Sequence, residues 1–148
     1  MTMKYVILKI ETYGLSLEAA STIHISALRV EDDTEIEFHR YIEGVGILGF
    51  CDKNWRAYLD TVRDSLLSFI GDLPVVGHNI DQDVALINKC FNIVIPNKKI
   101  SLMELARSHN YSGSLKFRAL CKHYKVPYYM HYNNVKITDM LFRAILES

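Results

Sequence analysis

The chain has 148 residues, 49% of them hydrophobic and 23% charged, with 17 basic and 17 acidic side chains that cancel to a formal net charge of zero. That balance describes one compact domain over residues 1–148, able to bury roughly two thirds of its unfolded surface, and excludes collagen, coiled-coil and disordered chains. Neutrality also argues against coating long nucleic acid, which needs a basic surplus, and leaves a contact of a few nucleotides open.

Tyr5 to Glu11 is short and almost continuously apolar, the pattern of a central strand buried on both faces, and Thr12-Tyr-Gly14 breaks it. Two further strands follow, Ser21 to Val30 and Glu35 to Ile42, joined by a turn at Glu31-Asp-Asp-Thr34. In the second of these, Ile36, Phe38 and Arg40 alternate with Glu35, Glu37 and His39, so the three strands read as an antiparallel meander. From Lys53 the period changes, and Trp55, Tyr58, Leu59, Val62, Leu66, Phe69 and Ile70 recur at helical steps. Leu73 to Gly77 is a short buried strand, and Asp81 to Phe91 is helical again. Ser101-Leu-Met-Glu104 has the form of a capping box that opens a helix. Further helices are predicted from about Ser114 to Tyr124 and from about Asn134 to Leu146. Strands that come first as a meander and then alternate with helices predict an α/β fold with a mixed sheet.

No apolar run approaches the roughly 18 residues that span a bilayer, and the N-terminus, with Lys4 directly before the first apolar run, carries no signal-peptide pattern. A cytoplasmic protein without a membrane partner is expected. Cys51, Cys90 and Cys121 are odd in number and lack metal-ligand spacing, so they read as reduced thiols, with Cys90 and Cys121 acting as small hydrophobes in helices.

The candidate chemistry rests on carboxylates. Glu11 ends the first strand, Asp83 stands in the first turn of the helix after Gly77-His-Asn79, and Asp139 lies in the last helix. Hard divalent ions such as Mg or Mn take oxygen ligands, and phosphoryl chemistry uses two of them to activate water and stabilise the leaving oxygen. Each acid alone has a plainer reading, since Asp81 and Asp83 both suit a helix N-terminus.

The words around these acids resemble the DEDD superfamily of 3'-to-5' exonucleases, in particular its proofreading epsilon-subunit-like (DnaQ-like) branch, over almost the whole chain. Tyr5-Val-Ile-Leu-Lys-Ile-Glu-Thr-Tyr-Gly-Leu15 is similar to the first motif, an apolar strand ending in Asp-x-Glu-Thr-x-Gly-Leu. Val75-Val-Gly-His-Asn-Ile-Asp-Gln-Asp83 is similar to the second, and Asn134-Val-Lys-Ile-Thr-Asp139 occupies the third. Glu104 to Arg107 and Leu115 to Cys121 resemble the region between the second and third motifs. The resemblance implies a ribonuclease H-like exonuclease fold with a five-stranded mixed sheet flanked by helices. It implies a site at the end of the first strand, with Mg or Mn held by Glu11, Asp83 and Asp139. Thr12, Leu15, His78 and Asn79 would meet a single-stranded or frayed nucleic-acid 3' end.

Two of the five catalytic positions depart from the family. Lys9 stands where the first aspartate should bridge both metals, and Asn134 stands where the general-base histidine belongs. The sister branch's tyrosine position is Val135, and the segment Gly44 to Asp52 is shorter than its family counterpart. A charge pair at about 4 Å is worth roughly 4 kcal/mol at an effective dielectric of 20, so an ammonium at position 9 repels a metal and equally offsets the repulsion among three acids. Lys9 therefore reads as an internal replacement for the cation, or else as a strand-end residue reaching solvent. Asn134 also suits a helix N-cap, and His131 is a candidate substitute base. Lys116, Arg118, Lys122, His123 and Lys125, with Tyr128, Tyr129 and Tyr132 beyond, fit either a single-strand contact or a solvated helix face. Three expectations follow: an exonuclease-fold protein with lost or weakened hydrolysis, an active enzyme with a reduced metal site, or a scaffold that binds a protein partner.

Overall fold

A computed structural model describes residues 3–13, 22–43, 53–128 and 134–148, without the side chains of 53–55. The strands β1 (Lys4–Tyr13), β2 (Thr22–Glu31) and β3 (Thr34–Glu43) are followed by helix α1 (Lys53–Ile70), strand β4 (Val75–Gly77) and helix α2 (Ile80–Phe91). Strand β5 (Lys99–Ser101) then leads into helices α3 (Leu102–Ser108), α4 (Phe117–His123) and α5 (Asn134–Glu147). Among the described residues the sheet has five strands in the order β3-β2-β1-β4-β5. The first three are antiparallel, and β4 and β5 join β1 in parallel. The expected α/β fold with a mixed sheet is therefore present.

Each face of the sheet has its own core. Val6, Leu8 and Ile10 of β1 pack with Ile23, Ile25 and Phe38 against Leu59, Val62, Leu66 and Ile70 of α1 and Val84 and Ile87 of α2. On the other face Tyr5, Ile7, Leu28 and Val76 pack against α3, α4 and Leu141, Phe142 and Ile145 of α5. β1 is thus buried from both sides, which is why its sequence is continuously apolar up to Leu8. Polar residues begin at Lys9, on the face where α4 and α5 bring Phe117 and Asn134 against them, while Ile10 on the other face stays in the core. β4 approaches β1 closely, and a Cβ on Gly77 would stand 3.0 Å from the Leu8 carbonyl oxygen and 3.2 Å from Ile80 Cδ1. The glycine allows the second motif to lie against the first strand.

Two local expectations are corrected, and one strand is present that no local pattern predicted. β5 is a strand of three residues, too short for its alternation to register in the sequence. The capping box at Ser101 is not made: the Ser101 hydroxyl donates to the His78 carbonyl at 3.2 Å and ties β5 to the turn after β4. The helix expected from Ser114 begins at Phe117, because Ser114 serves the preceding loop, accepting from the Lys116 N–H through its hydroxyl and from the Tyr111 hydroxyl through its carbonyl. Cys90 and Cys121 are buried free thiols, and burial pushes both up to about 11. No helix among the described residues is long and apolar enough to cross a membrane.

Candidate functional site

Strand alternation places Tyr5, Ile7, Lys9, Glu11 and Tyr13 of β1 on the face that α5 covers. α5 runs back along β1. Its first residue, Asn134, donates from Nδ2 to Glu11 Oε1 at 2.9 Å, and Phe142, two turns later, packs edge-on against Tyr5. Asn134 thus spends its side-chain amide on Glu11, and its carbonyl accepts from the Thr138 hydroxyl at 2.6 Å.

Lys9 Nζ lies 3.5 Å from Glu11 Oε1 and 5.5 Å from the centre of the Phe117 ring on α4. It shares a hollow of about 150 Å³ with Asp83, His78, Asn79, Phe117 and Thr138. Burial acts against the Glu11 charge, but the Asn134 amide, the Lys9 ammonium, His24 and the Tyr13 hydroxyl outweigh it and hold Glu11 below the usual carboxylate range. Asp83 goes the other way. Burial pushes it up to about 7, the neighbouring Glu11 charge adds to that rise, and Lys9 opposes it. The two acids of one site are therefore split, one firmly ionised and one titrating near neutrality.

Asp139 is not with them. Its Oδ1 accepts from the Tyr5 hydroxyl at 2.5 Å and its Oδ2 from Arg143 Nε at 3.1 Å, and it is 5% exposed. The reason is helical geometry: residues four apart share a face, while residues five apart diverge by roughly 140°. Asn134 and Thr138 face the site, so Asp139 turns away from it. The Asp139 carboxylate is thus engaged by Tyr5 and Arg143, while Asn134 engages Glu11. Burial, reinforced by the Asp139 charge and hydrogen bond, raises the Tyr5 hydroxyl pKa, so Tyr5 remains a donor.

The remaining predicted residues divide. His78 contacts the Leu115 carbonyl through Nε2 at 2.6 Å, its ring meets Phe117 edge-on, and burial holds its pKa below the ordinary histidine value. It fastens the loop before α4 to the turn before α2. Asn79 donates from Nδ2 to Gln82 Oε1 at 3.0 Å, and its carbonyl accepts the Gln82 and Asp83 N–H groups, which fixes the first turn of α2 beneath Asp83. Thr12 is half-buried, and alternation puts it on the face opposite Glu11. Leu15, His131, Cys51, the Gly44 to Asp52 segment, Tyr129 and Tyr132 lie outside the described residues.

The sequence reading missed His24 and His39. His24 stands directly opposite Glu11 on β2, its Nε2 lies 3.2 Å from His39 Nδ1, and His39 Nε2 lies 3.4 Å from Glu37 Oε1. The signal was in the meander, whose alternation already put Glu37 and His39 on one face.

Mg or Mn does not fit these residues. An ammonium stands against Glu11, and both Asp139 oxygens are bonded elsewhere. Among the described residues no group of three His, Cys, Asp or Glu side chains is gathered so as to hold a metal ion. No family model matches the chain, and comparison with curated proteins gives no significant match.

Proposed function

We propose that this chain is a DEDD exonuclease-like protein on a ribonuclease H-like scaffold in which the Lys9 ammonium takes the place of the catalytic cations. The protein has exchanged two-metal hydrolysis for binding of a nucleic-acid 3' end. The observation that carries this reading is the Lys9–Glu11 pair at 3.5 Å, in a hollow that also holds Asp83. An ammonium there offsets carboxylate repulsion as a divalent ion would, but it supplies no bound water and no Lewis acid.

Support for a nucleic-acid ligand comes from α4. Phe117 lines the Lys9 hollow, and Lys116, Arg118 and Lys122 are exposed on and beside the same helix. Arg118 lies over the Tyr128 ring at 6.0 Å, and the Phe117 and Tyr128 rings meet edge-on at 5.8 Å. Basic groups beside aromatic rings suit phosphates and unstacked bases.

Fluorescence anisotropy of a 3'-labelled single strand, measured in EDTA, tests the reading. Saturable binding is expected without divalent ions, weakening as salt rises and falling about tenfold or more in a Lys116→Glu, Arg118→Glu double variant. Absence of binding at low salt would overturn the reading and favour a scaffold for a protein partner.

A further inference from the structure

The open sheet face beyond Glu11 carries a group of side chains that the 3'-end reading does not use. Alternation places Glu37, His39, Tyr41 and Glu43 of β3 and His24 of β2 on that face. The His24 and Tyr41 rings stack at 4.2 Å with 3° between their planes, which fixes the His24 ring. The His24 and His39 rings lie 20° from parallel with their centres 5.4 Å apart, so with nitrogens 3.2 Å apart they meet end to end. The pattern that satisfies both histidine contacts has His39 donating from Nε2 to Glu37 and accepting at Nδ1 from His24 Nε2–H.

We propose that His24 and His39 form a two-nitrogen site for a borderline divalent transition metal of the zinc, nickel or copper class, with water in the remaining positions. Two nitrogens bound to one tetrahedral ion at about 2.0–2.1 Å stand roughly 3.3 Å apart, close to the separation already present. A rotation of each ring by roughly 35°, which His24 can make within the plane of its stack on Tyr41, turns both lone pairs onto a common point, and the His24 proton moves from Nε2 to Nδ1. Glu37, on the far nitrogen of His39, is the kind of carboxylate that orients a ligating imidazole and raises its basicity. Burial holds His24 below the ordinary histidine pKa, which keeps its lone pair available at neutral pH.

The charge of the face selects the ligand. Glu11 stands opposite His24, Glu37 contacts His39, Glu43 lies two positions beyond Tyr41, and Lys9 is paired with Glu11. Carboxylates on both sides of the two imidazoles favour a cation between them. Imidazole ligands suit Zn, Ni and Cu, while Mg prefers oxygen. The site does not depend on the function proposed above.

Calorimetric titration of the whole chain with Zn or Ni, with Mg as control, tests it. One ion is expected per chain, with affinity down at least tenfold in His24→Gln and in His39→Gln, and several-fold in Glu37→Gln. Lowering the pH from 7.5 to 5.5 should weaken binding about tenfold or more as protons compete for the imidazoles. In the unsubstituted protein, trace Cu should broaden the His24 and His39 ring signals first, a readout that needs no variant. Absence of saturable binding, unchanged binding in a His24→Gln, His39→Gln double variant, or broadening centred on His109 or His123 would each overturn the proposal.

Discussion

Asp139 and Asp83 meet different surroundings in the structure, and each arrangement has a measurable consequence. Asp139 bridges the Tyr5 hydroxyl and the half-exposed Arg143 from a nearly closed environment. Asp139→Ala leaves a buried phenol without its acceptor and should destabilise the fold by about 2 kcal/mol, while Asp139→Asn, which keeps an acceptor, should cost less. Urea denaturation of the two variants distinguishes this from a ligand-binding role, in which stability would hold. Asp83 makes the opposite prediction. Its folded pKa, near 7, lies above the ordinary unfolded value, so between about pH 4 and 7 the unfolded chain releases this proton more readily, and Asp83 contributes progressively less stability as pH rises. Glu11, held low, contributes stability above its unfolded pKa that is lost as pH falls. Denaturation of Asp83→Asn and the parent chain from pH 5 to 8 should show the variant gaining on the parent as pH rises. A constant difference would contradict the assignment.

At the scale of elements, the close approach of β4 to β1 puts the second motif beside the first. Gly77→Ala pushes a methyl to 3.0 Å from the Leu8 carbonyl oxygen, a backbone atom with little freedom to move, and should cost about 1–3 kcal/mol by denaturant midpoint. The long elements were legible in the sequence because each has a clean period: two in β3, and three to four in α1 and α5. β5 was not, because three residues carry no period. The site was half legible. Strand register brings Lys9 and Glu11 to one face two residues apart, which the sequence states directly. The direction of Asp139 depends on how α5 is rotated, and that is settled by Asn134 reaching Glu11 and by the Tyr5 hydroxyl needing an acceptor. His24 became visible only through pairing, since its partner Glu11 lies thirteen positions away across β1 and β2.

Across the whole molecule, the two cores hold a sheet whose central strand carries the Lys9–Glu11 pair. The neutral chain concentrates positive charge along α4 and negative charge along the open face of β3, so one molecule offers separate surfaces to an anion and a cation. The central question is whether the acids beside Lys9 work without a catalytic metal. The most direct measurement is degradation of a 5'-labelled single-stranded oligonucleotide in Mg and then Mn, with the parent chain and Glu11→Gln prepared identically. Equal background cleavage by both proteins is predicted. A ladder made by the parent and lost in Glu11→Gln would show a working metal site and contradict the account.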